Sequence, residues 1–344
     1  MPVFPSGTNV YQPSVEASNS LVVDFSRNPN KFALPNYVSY ANVKKNVGLY
    51  VRMTVEEAGR ILNTDLSDFA WYDGNDAPQH NDGTESFDMP AFATKRYAYG
   101  FNLGDLTVEQ AAWDILAQHG RIKAQQAMTA RTQKVATLLT TSGNYDSTHT
   151  STPTILAGGK WDVSTSALQY IQKTLHAAAD IILKDTLSAV STEDLILVIS
   201  PTCARLIRST QEIVDHVKSS PFSLAQVRGE LPGRNVQFGL PDTLYGYKLV
   251  VENAAKTTSR KGATTAKSYV WTDTVAVLLA RPGGLTAPSE GPNFSTATLF
   301  LKEDMTVETQ RDDWNRKTRG RVADDFDAVL TAPVSGYCIT AAVL

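Results

Sequence analysis

The histidines are the residues of this chain best suited to bind a metal ion or to transfer protons. They are His80, His119, His149, His176 and His216. No two have the i, i+4 spacing that places two imidazoles on one helical face, and neither cysteine is close to them. The spacing argues against a metal site. Cys203 and Cys338 are far apart, and we expect both to be free, buried thiols in a reducing compartment.

Ser200 is the one residue placed like a catalytic nucleophile. It follows the apolar run Leu195–Ile199 and precedes Pro201, so it stands at a strand-to-helix turn. The nucleophile elbow of hydrolases needs glycine two residues before and two residues after the serine, and Val198 and Thr202 occupy those positions. We therefore predict that Ser200 is a helix N-cap. The glycine patterns that hold dinucleotides or phosphates are also absent from the sequence.

The C-terminal region contains enough carboxylates to suggest acid–base catalysis. They are Asp304, Asp312, Asp313, Asp324, Asp325 and Asp327. Arginine and lysine alternate with them, which is typical of a solvated face or of salt bridges between subunits. The candidates for intersubunit salt bridges are Arg311, Asp312, Asp313, Arg316, Arg319 and Arg321. Other basic residues are expected to be solvated or to contact a neighbour rather than to bind phosphate: Arg121, Lys123, Arg131 and Lys134.

Composition narrows the class of protein. The chain has 344 residues, enough for two domains and a large core, with 42% apolar and only 19% charged residues. So low a charge content fits a surface that other subunits largely cover. The net charge of −3 provides no global basic field for nucleic acid. No apolar segment is long enough to span a membrane and the first residues do not resemble a signal peptide, so we expect a cytosolic site of synthesis.

One long helix is predicted from Thr107 to about Thr141. Thr107 and Gln110 have the spacing of a capping box, no proline interrupts the stretch, and Gly143 is placed to cap its end. Roughly 35 residues at about 1.5 Å each make a rod of about 50 Å. A rod of that length is expected to cross the body of the molecule and suits a protein that contacts neighbours.

An aromatic ribbon precedes this helix. Turn signals flank residues 74–86, the predicted tip, and Tyr97, Tyr99 and Phe101 alternate with small residues as in a strand. A two-stranded ribbon is marginal by itself, and exposed aromatic groups mark an interaction surface. The alternative is a hairpin folded onto the core of its own domain. The intersubunit contact candidates are Phe87, Met89, Phe92, Lys95, Arg96 and Tyr97.

The remaining elements predict an α+β fold. Residues 1–50 are expected to form an extended arm, and a short helix should follow with Thr54 as its cap. An amphipathic helix is predicted from about Ser164 to Lys184. Strands are predicted at Leu195–Ile199, Leu249–Val251 and Val275–Leu279, with a helix from Ser200 to about Lys218.

The order of these parts resembles the major capsid proteins of tailed bacteriophages, the Hong Kong 97-type fold. The stretches that carry the resemblance are ATKRYAYGFNLGDLTVEQAAWDI (93–115), LILVISPTCARLI (195–207), LYGYKLVVENA (244–254), SYVWTDTVAVLLARPG (268–283) and the strands of 300–322 and 328–343. The resemblance implies an N-terminal arm (1–50), a short helix and lead-in (51–70), an extended β-ribbon loop (71–104), a peripheral domain with a spine helix (105–190), an axial domain (191–300) and return strands of the peripheral domain (301–344).

The resemblance implies a structural protein rather than an enzyme, without catalytic, metal-binding or cofactor-binding residues. Its pentamers and hexamers would form an icosahedral shell around double-stranded phage DNA, assembled in the bacterial cytoplasm and kept in the virion. A separate scaffolding protein, a portal and a decoration protein are the implied partners. Lys95 lies where some relatives cross-link, but no local residue supports that role. The alternatives are an encapsulin-like compartment and, from another class, a cytosolic hydrolase or transferase.

Overall fold

The computed structural model describes residues 32–53, 87–111, 114–218, 238–260, 263–281 and 295–344. Most of the predicted arm, the helix expected after Thr54 and the ribbon tip at 74–86 lie outside these ranges. The described helices are α1 (Leu34–Tyr37), α2 (Asp105–Glu109), α3 (Ile115–Thr140), α4 (Pro153–Ala157), α5 (Tyr170–Asp185), α6 (Pro201–Arg208) and α7 (Gln211–Lys218).

The described strands form two main sheets and three small two-stranded ones. They are β1 (Ser39–Asn42), β2 (Val47–Leu49), β3 (Arg52–Met53), β4 (Phe87–Asp88), β5 (Ala91–Ala93), β6 (Lys95–Gly104), β7 (Thr150–Ser151), β8 (Leu195–Ile199), β9 (Thr243–Leu244), β10 (Tyr247–Val251), β11 (Ala255–Thr257), β12 (Lys267–Tyr269), β13 (Ala276–Ala280), β14 (Ala297–Asp312), β15 (Lys317–Leu330) and β16 (Gly336–Ile339).

The larger sheet has the order β7-β16-β13-β8-β10-β9 among the described strands. Its middle strand β8 is apolar at every position because both of its faces are covered. Leu195, Leu197 and Ile199 pack in the core that includes α5 and α6. Ile196 and Val198 point the other way, into the core that includes the C-terminal half of α3. The predicted buried strand is confirmed, and one strand therefore ties two cores together.

The second sheet has the order β1-β14-β15-β6 in the described part of the chain. Strands β14 and β15 form a long antiparallel hairpin that runs from the pair Ala297–Leu330 to the pair Asp312–Lys317 at its tip. Strand β6 pairs with the tip-side half of β15, and α3 packs across β15. The hairpin and α3 together form an elongated part of the molecule.

The predicted single helix from Thr107 to Thr141 is divided in the structure. The short helix α2 ends at Glu109, and α3 begins at Ile115. Asp114 caps α3, since its carboxylate accepts a hydrogen bond of 3.0 Å from the backbone N–H of Ala117. The long helix therefore has 26 residues and spans about 39 Å rather than 50 Å.

Both predicted caps of that helix are wrong. Thr107 lies inside α2, whose N-cap is Gly104 without a side-chain cap bond. Gly143 lies in a short 3-10 turn beyond Thr141, the residue that ends α3. An aspartate at position 114 offers the same capping chemistry as a threonine at 107, and local sequence does not rank the two.

The strand predicted around Tyr97, Tyr99 and Phe101 is confirmed as β6, but its predicted place in a two-stranded ribbon is wrong. Strand β6 pairs with β15 over ten positions, from Lys95 to Gly104. The ribbon is formed instead by residues 47–53 and 87–93, through β2–β5 and β3–β4, in one continuous antiparallel register. Half of the ribbon thus comes from residues that were assigned to the arm and its lead-in.

The end of the chain belongs to the larger sheet. Strand β16 pairs with β13 and with β7, so it does not return to the four-stranded sheet as expected for residues 328–343. The helix predicted at 164–184 is present as α5, but it begins at Tyr170, six residues later than predicted. Within the described ranges, the helices lack the combination of length and apolar character that crossing a bilayer requires.

Candidate intersubunit surfaces

The residues that suggested catalysis are used for structure. Ser200 caps α6, since its Oγ accepts a hydrogen bond of 3.0 Å from the N–H of Cys203 and donates one of 3.0 Å to the carbonyl of Asp273. The predicted N-cap is confirmed. Cys203 and Cys338 are free and buried, as expected, and burial raises the pKa of the Cys338 thiol to about 11. Neither thiol is a nucleophile at neutral pH.

The three histidines whose side chains the structure describes lie apart from one another and have separate partners. His149 is buried, with Nδ1 at 2.9 Å from the carbonyl oxygen of Gly336 and Nε2 at 2.8 Å from Oδ2 of Asp185. His119 stacks on a phenylalanine, and His176 meets a tyrosine hydroxyl. In the part of the chain that the structure describes, no three histidine, cysteine or acidic side chains cluster as metal ligands.

Asp324 is part of a buried clamp between α3 and the hairpin. Arg131 donates from Nε to Oδ2 of Asp324 at 3.1 Å and from a terminal nitrogen to Oδ1 of Asp304 at 2.8 Å, and it also contacts Oδ1 of Asp324. Its guanidinium lies 5.4 Å from the ring centroid of Phe326. Burial raises the pKa of Asp324, and the Arg131 charge opposes that shift. The group holds α3 to the hairpin.

Other acidic residues of this region are also paired within the chain. Asp327 accepts a bond of 3.0 Å from Nζ of Lys134 on α3. Asp325 is buried, with Nε of Arg96 at 3.7 Å from its Oδ2. Arg131 and Lys134, two of the basic residues expected to be solvated or to meet a neighbour, therefore bind the hairpin of their own subunit.

The six salt-bridge candidates lie at the exposed end of the hairpin, where the described structure pairs most of them within the chain. Arg311 binds Asp105 at 3.0 Å and also contacts Asp313, while Arg319 binds Asp312 at 2.6 Å. Further along β15, Arg321 pairs with Glu308. Arg316 adopts a positive φ of 45° in the turn, and its carbonyl oxygen accepts from the N–H of Asp105 at 3.0 Å. These pairs brace the hairpin tip against the start of α2.

Phe92, one of the predicted intersubunit contacts, is covered by its own chain. Its ring stacks on Phe300 with centroids 4.4 Å apart and is only 8% exposed, and it lies over Gly48 of the opposite ribbon strand. Tyr50 also meets Phe300, at 5.7 Å. This argues against the expectation for Phe92, because most of the ring is covered within the subunit and little of it is left for a neighbour. It anchors the base of the ribbon to the four-stranded sheet.

Of the other ribbon candidates, some contact residues of their own subunit and others are exposed to solvent. Tyr97 packs on Phe326 at 5.1 Å, and Arg96 binds Glu303 at 3.3 Å. Lys95 is exposed, and Met89 is 55% exposed. The side chain of Phe87 lies outside the described part of the structure.

Sequence reasoning missed the exposed face of the ribbon. Val47, Leu49 and Val51 alternate along one strand and are 64%, 64% and 60% exposed. The register places Ala93 opposite Val47 and Ala91 opposite Leu49, and it continues so that Met89 faces Val51. One side of the ribbon is therefore a continuous apolar stripe that no described part of the subunit covers. The alternation at 47, 49 and 51 was a period-two signal that could have revealed it.

Sequence reasoning also missed Trp314 and Glu252. Trp314 lies in the hairpin turn and is 95% exposed.

Glu252 is fully buried and accepts hydrogen bonds from the hydroxyl of Tyr37 at 3.0 Å and from the backbone N–H of Ala33 at 3.2 Å. Burial raises the pKa of Glu252 to about 7. Glu252 thus ties the described start of the chain to the larger sheet.

Solved structures share this architecture over nearly the whole chain. A phage-related protein from Bordetella bronchiseptica RB50 has a TM-score of 0.59 at 14% identity, covering 89% of this chain and 91% of its own. The structure of Mycobacterium phage Che8 has a TM-score of 0.56 at 15% identity, covering 97% of this chain and 98% of its own. The asymmetric unit of the bacteriophage PhiM1 mature capsid has a TM-score of 0.51 at 12% identity, covering 97% of this chain and 91% of its own. No family model and no curated protein matches the chain.

At these identities the likeness is one of fold. The chain has the α+β, Hong Kong 97-type fold of tailed-phage capsid proteins, as its sequence resemblance predicted.

Proposed function

We propose that this chain is the major subunit of an icosahedral phage capsid. The observation that carries the proposal is the apolar stripe Val47, Leu49, Val51 and Met89, exposed on a ribbon of a capsid-type fold. A two-stranded ribbon is marginally stable alone, and monomers rarely expose contiguous apolar patches without a partner. The stripe suits burial against a neighbouring subunit, which would both order the ribbon and join the subunits.

We also propose how the subunits are arranged in the shell. Subunits assemble through pentamers and hexamers, and each contact is heterologous, with unlike surfaces of the same chain facing one another. Many weak contacts acting together close the shell without any single strong pair. Met89, Lys95, Arg96 and Tyr97 on or beside the ribbon belong to these contacts, together with the hairpin residues Arg311, Asp312, Asp313, Arg316, Arg319 and Arg321.

The shell is proposed to enclose double-stranded DNA without sequence-specific binding. A net charge of −3 supports this, because a strongly basic interior would bind the phosphates tightly and hinder release. Assembly takes place in the bacterial cytoplasm and the product is the virion, with a separate scaffolding protein and a portal as partners and a decoration protein as an additional one. The subunit has no catalytic function in this proposal.

The test is the particle mass and shape of the purified chain, expressed alone and together with scaffolding and portal proteins, by light scattering and negative-stain microscopy. Closed megadalton shells, tubes or rings support the proposal. Nucleic acid inside shells made in infected cells supports the phage role, whereas a protein cargo would indicate an encapsulin-like compartment. A monomer that stays inert with every such partner would overturn the proposal.

A further inference from the structure

Trp314 is the most exposed large apolar side chain among the described residues. It occupies the turn between Asp312 and Lys317 at the far end of the hairpin and is 95% exposed. Tryptophan carries a large apolar area with few rotatable bonds, and it is enriched among the residues that dominate binding energy at protein interfaces. The turn around it is braced: Arg311 binds Asp105, and Asp312 binds Arg319. The indole is therefore presented from a fixed support.

A groove of ≈380 Å³ lies on the same hairpin, where the start of α3 crosses β14. Its lining is mostly small and apolar: Leu116, Ala117, Gly120, Ala124, Val307 and Thr309. Gly120 faces Val307 across the groove, since a Cβ at position 120 would lie in ordinary van der Waals contact with Cγ1 of Val307 at 3.8 Å. Val307 itself is 55% exposed. Binding cavities of this kind begin at about 300 Å³, so the groove has room for an indole ring.

The rim of the groove offers polar groups that match an indole. Arg121 lines it, and a guanidinium over an aromatic face is attractive. Asp114 also lines it, and its Oδ1 accepts the capping bond from Ala117. Its other carboxylate oxygen, for which the described residues supply no partner, is an acceptor for an indole N–H.

Trp314 cannot enter the groove of its own subunit. Thr309 lines the groove, and the extended strand from Thr309 to Asp312 carries the turn away by about 3.3 Å per residue, or roughly 10 Å. An anchor and a matching groove on one rigid hairpin, separated along its length, form the unlike surfaces that a head-to-tail contact requires.

We infer that Trp314 of one subunit inserts into the groove between α3 and β14 of a second copy of this chain. The inference rests on the proposed function and adds to it the residue and the groove by which hairpins of adjacent subunits meet. The occupant is a second copy because each copy presents both halves, so the same contact can repeat from one subunit to the next until a ring closes.

Cysteine cross-linking in assembled particles tests the contact directly. Trp314→Cys with Ala117→Cys should be joined between subunits by a short bifunctional thiol reagent, which replaces the length of the lost indole. A direct disulfide is not the readout, because it needs the two Cα atoms within about 7 Å. The matched control pairs Trp314→Cys with Ile155→Cys, since Ile155 is 78% exposed on α4, away from the groove. The native cysteines are both buried and do not interfere.

Two substitutions at opposite ends of the contact supply a second test. Trp314→Ser removes the anchor, and Ala117→Trp fills the groove, so each should raise the subunit concentration needed for assembly roughly tenfold or more. A mixture of the two variants should recover part of the loss, because one type keeps the groove and the other keeps the anchor. Circular dichroism checks that both variants are folded.

Particles that form as readily with Trp314→Ser as with the wild-type chain would overturn the inference and leave the proposed function standing. Cross-linking that fails at position 117, or is equal at position 155, would do the same. If the wild-type chain does not assemble under any condition, the proposed function fails and this inference fails with it.

Discussion

Arg131 and Asp324 form an ion pair that is almost entirely removed from water, with side chains 2% and 0% exposed. They join the middle of α3 to the middle of β15. Asp304 lies on the solvent side of the pair, where its Oδ1 accepts a hydrogen bond of 2.8 Å from a terminal nitrogen of Arg131. The elongated hairpin has little apolar core of its own beyond this point, because β14 is mostly exposed from Lys302 onward. The pair thus sets the position of α3 on the sheet that carries Trp314.

Replacing Arg131 with alanine should lower the free energy of unfolding by about 3–5 kcal/mol, since Asp324 would stay buried without its partner. Urea denaturation followed by circular dichroism measures this. The double variant Arg131→Met with Asp324→Leu is the control, because removing both charges should cost far less. Equal losses in the single and double variants would show that packing, not the unpaired charge, dominates.

Phe92 and Met89 lie three residues apart and should behave oppositely. Phe92→Ala should lower the free energy of unfolding by about 2–4 kcal/mol, because it empties the contact with Phe300. Met89→Ser should leave stability within about 0.5 kcal/mol, because the side chain is 55% exposed. Met89→Ser should instead impair assembly.

Urea titration and particle yield distinguish these two roles. If Met89→Ser assembles normally, the apolar stripe is not an intersubunit surface. If Phe92→Ala unfolds at the same urea concentration as the wild type, the contact with Phe300 does not hold the ribbon to the sheet.

Stability should fall as pH rises between about 4.5 and 7 because of Glu252. Burial raises its pKa from an ordinary 4.5 to about 7, so within this window the folded chain keeps a proton that the unfolded chain has released. By linkage this proton stabilises the folded state at the acid end, by up to about 3 kcal/mol, and the gain is lost once pH exceeds 7.

Denaturation at pH 5 and pH 8 measures the Glu252 effect. Glu252→Gln should remove the contribution of Glu252 to the fall in the free energy of unfolding as pH rises. Glu193→Gln, at an exposed position, should leave that contribution in place. A slope unchanged by Glu252→Gln would contradict the prediction.

Ser200→Ala should cost about 1 kcal/mol of stability through loss of the α6 cap and should have no effect on any hydrolytic activity. Ser200→Thr keeps a capping hydroxyl and should lose less. Thermal unfolding measures both variants. An esterase activity that is present in the wild-type chain and absent from Ser200→Ala would instead support the hydrolase alternative.

Local sequence patterns predicted the structure correctly where the residues of one element are sufficient to determine its burial and its ends. The run Leu195–Ile199 predicts a strand buried on both faces because it has no polar position, and Ser200 followed by proline predicts the start of a helix. The ranking of two possible helix starts, Thr107 and Asp114, was not decided locally, because both offer the same capping chemistry.

The sequence by itself determined the class of the fold: the kinds of elements, their order, the buried strand and the absence of a recognisable catalytic motif. Strand partners were decided only by tertiary structure, since β6 has the same alternation whether it pairs in a ribbon or with β15. The roles of Phe92 and Met89 were likewise undetermined, because both are apolar and only the packing of Phe300 buries one of them. Pairing and burial depend on contacts between residues hundreds of positions apart, which no local pattern encodes.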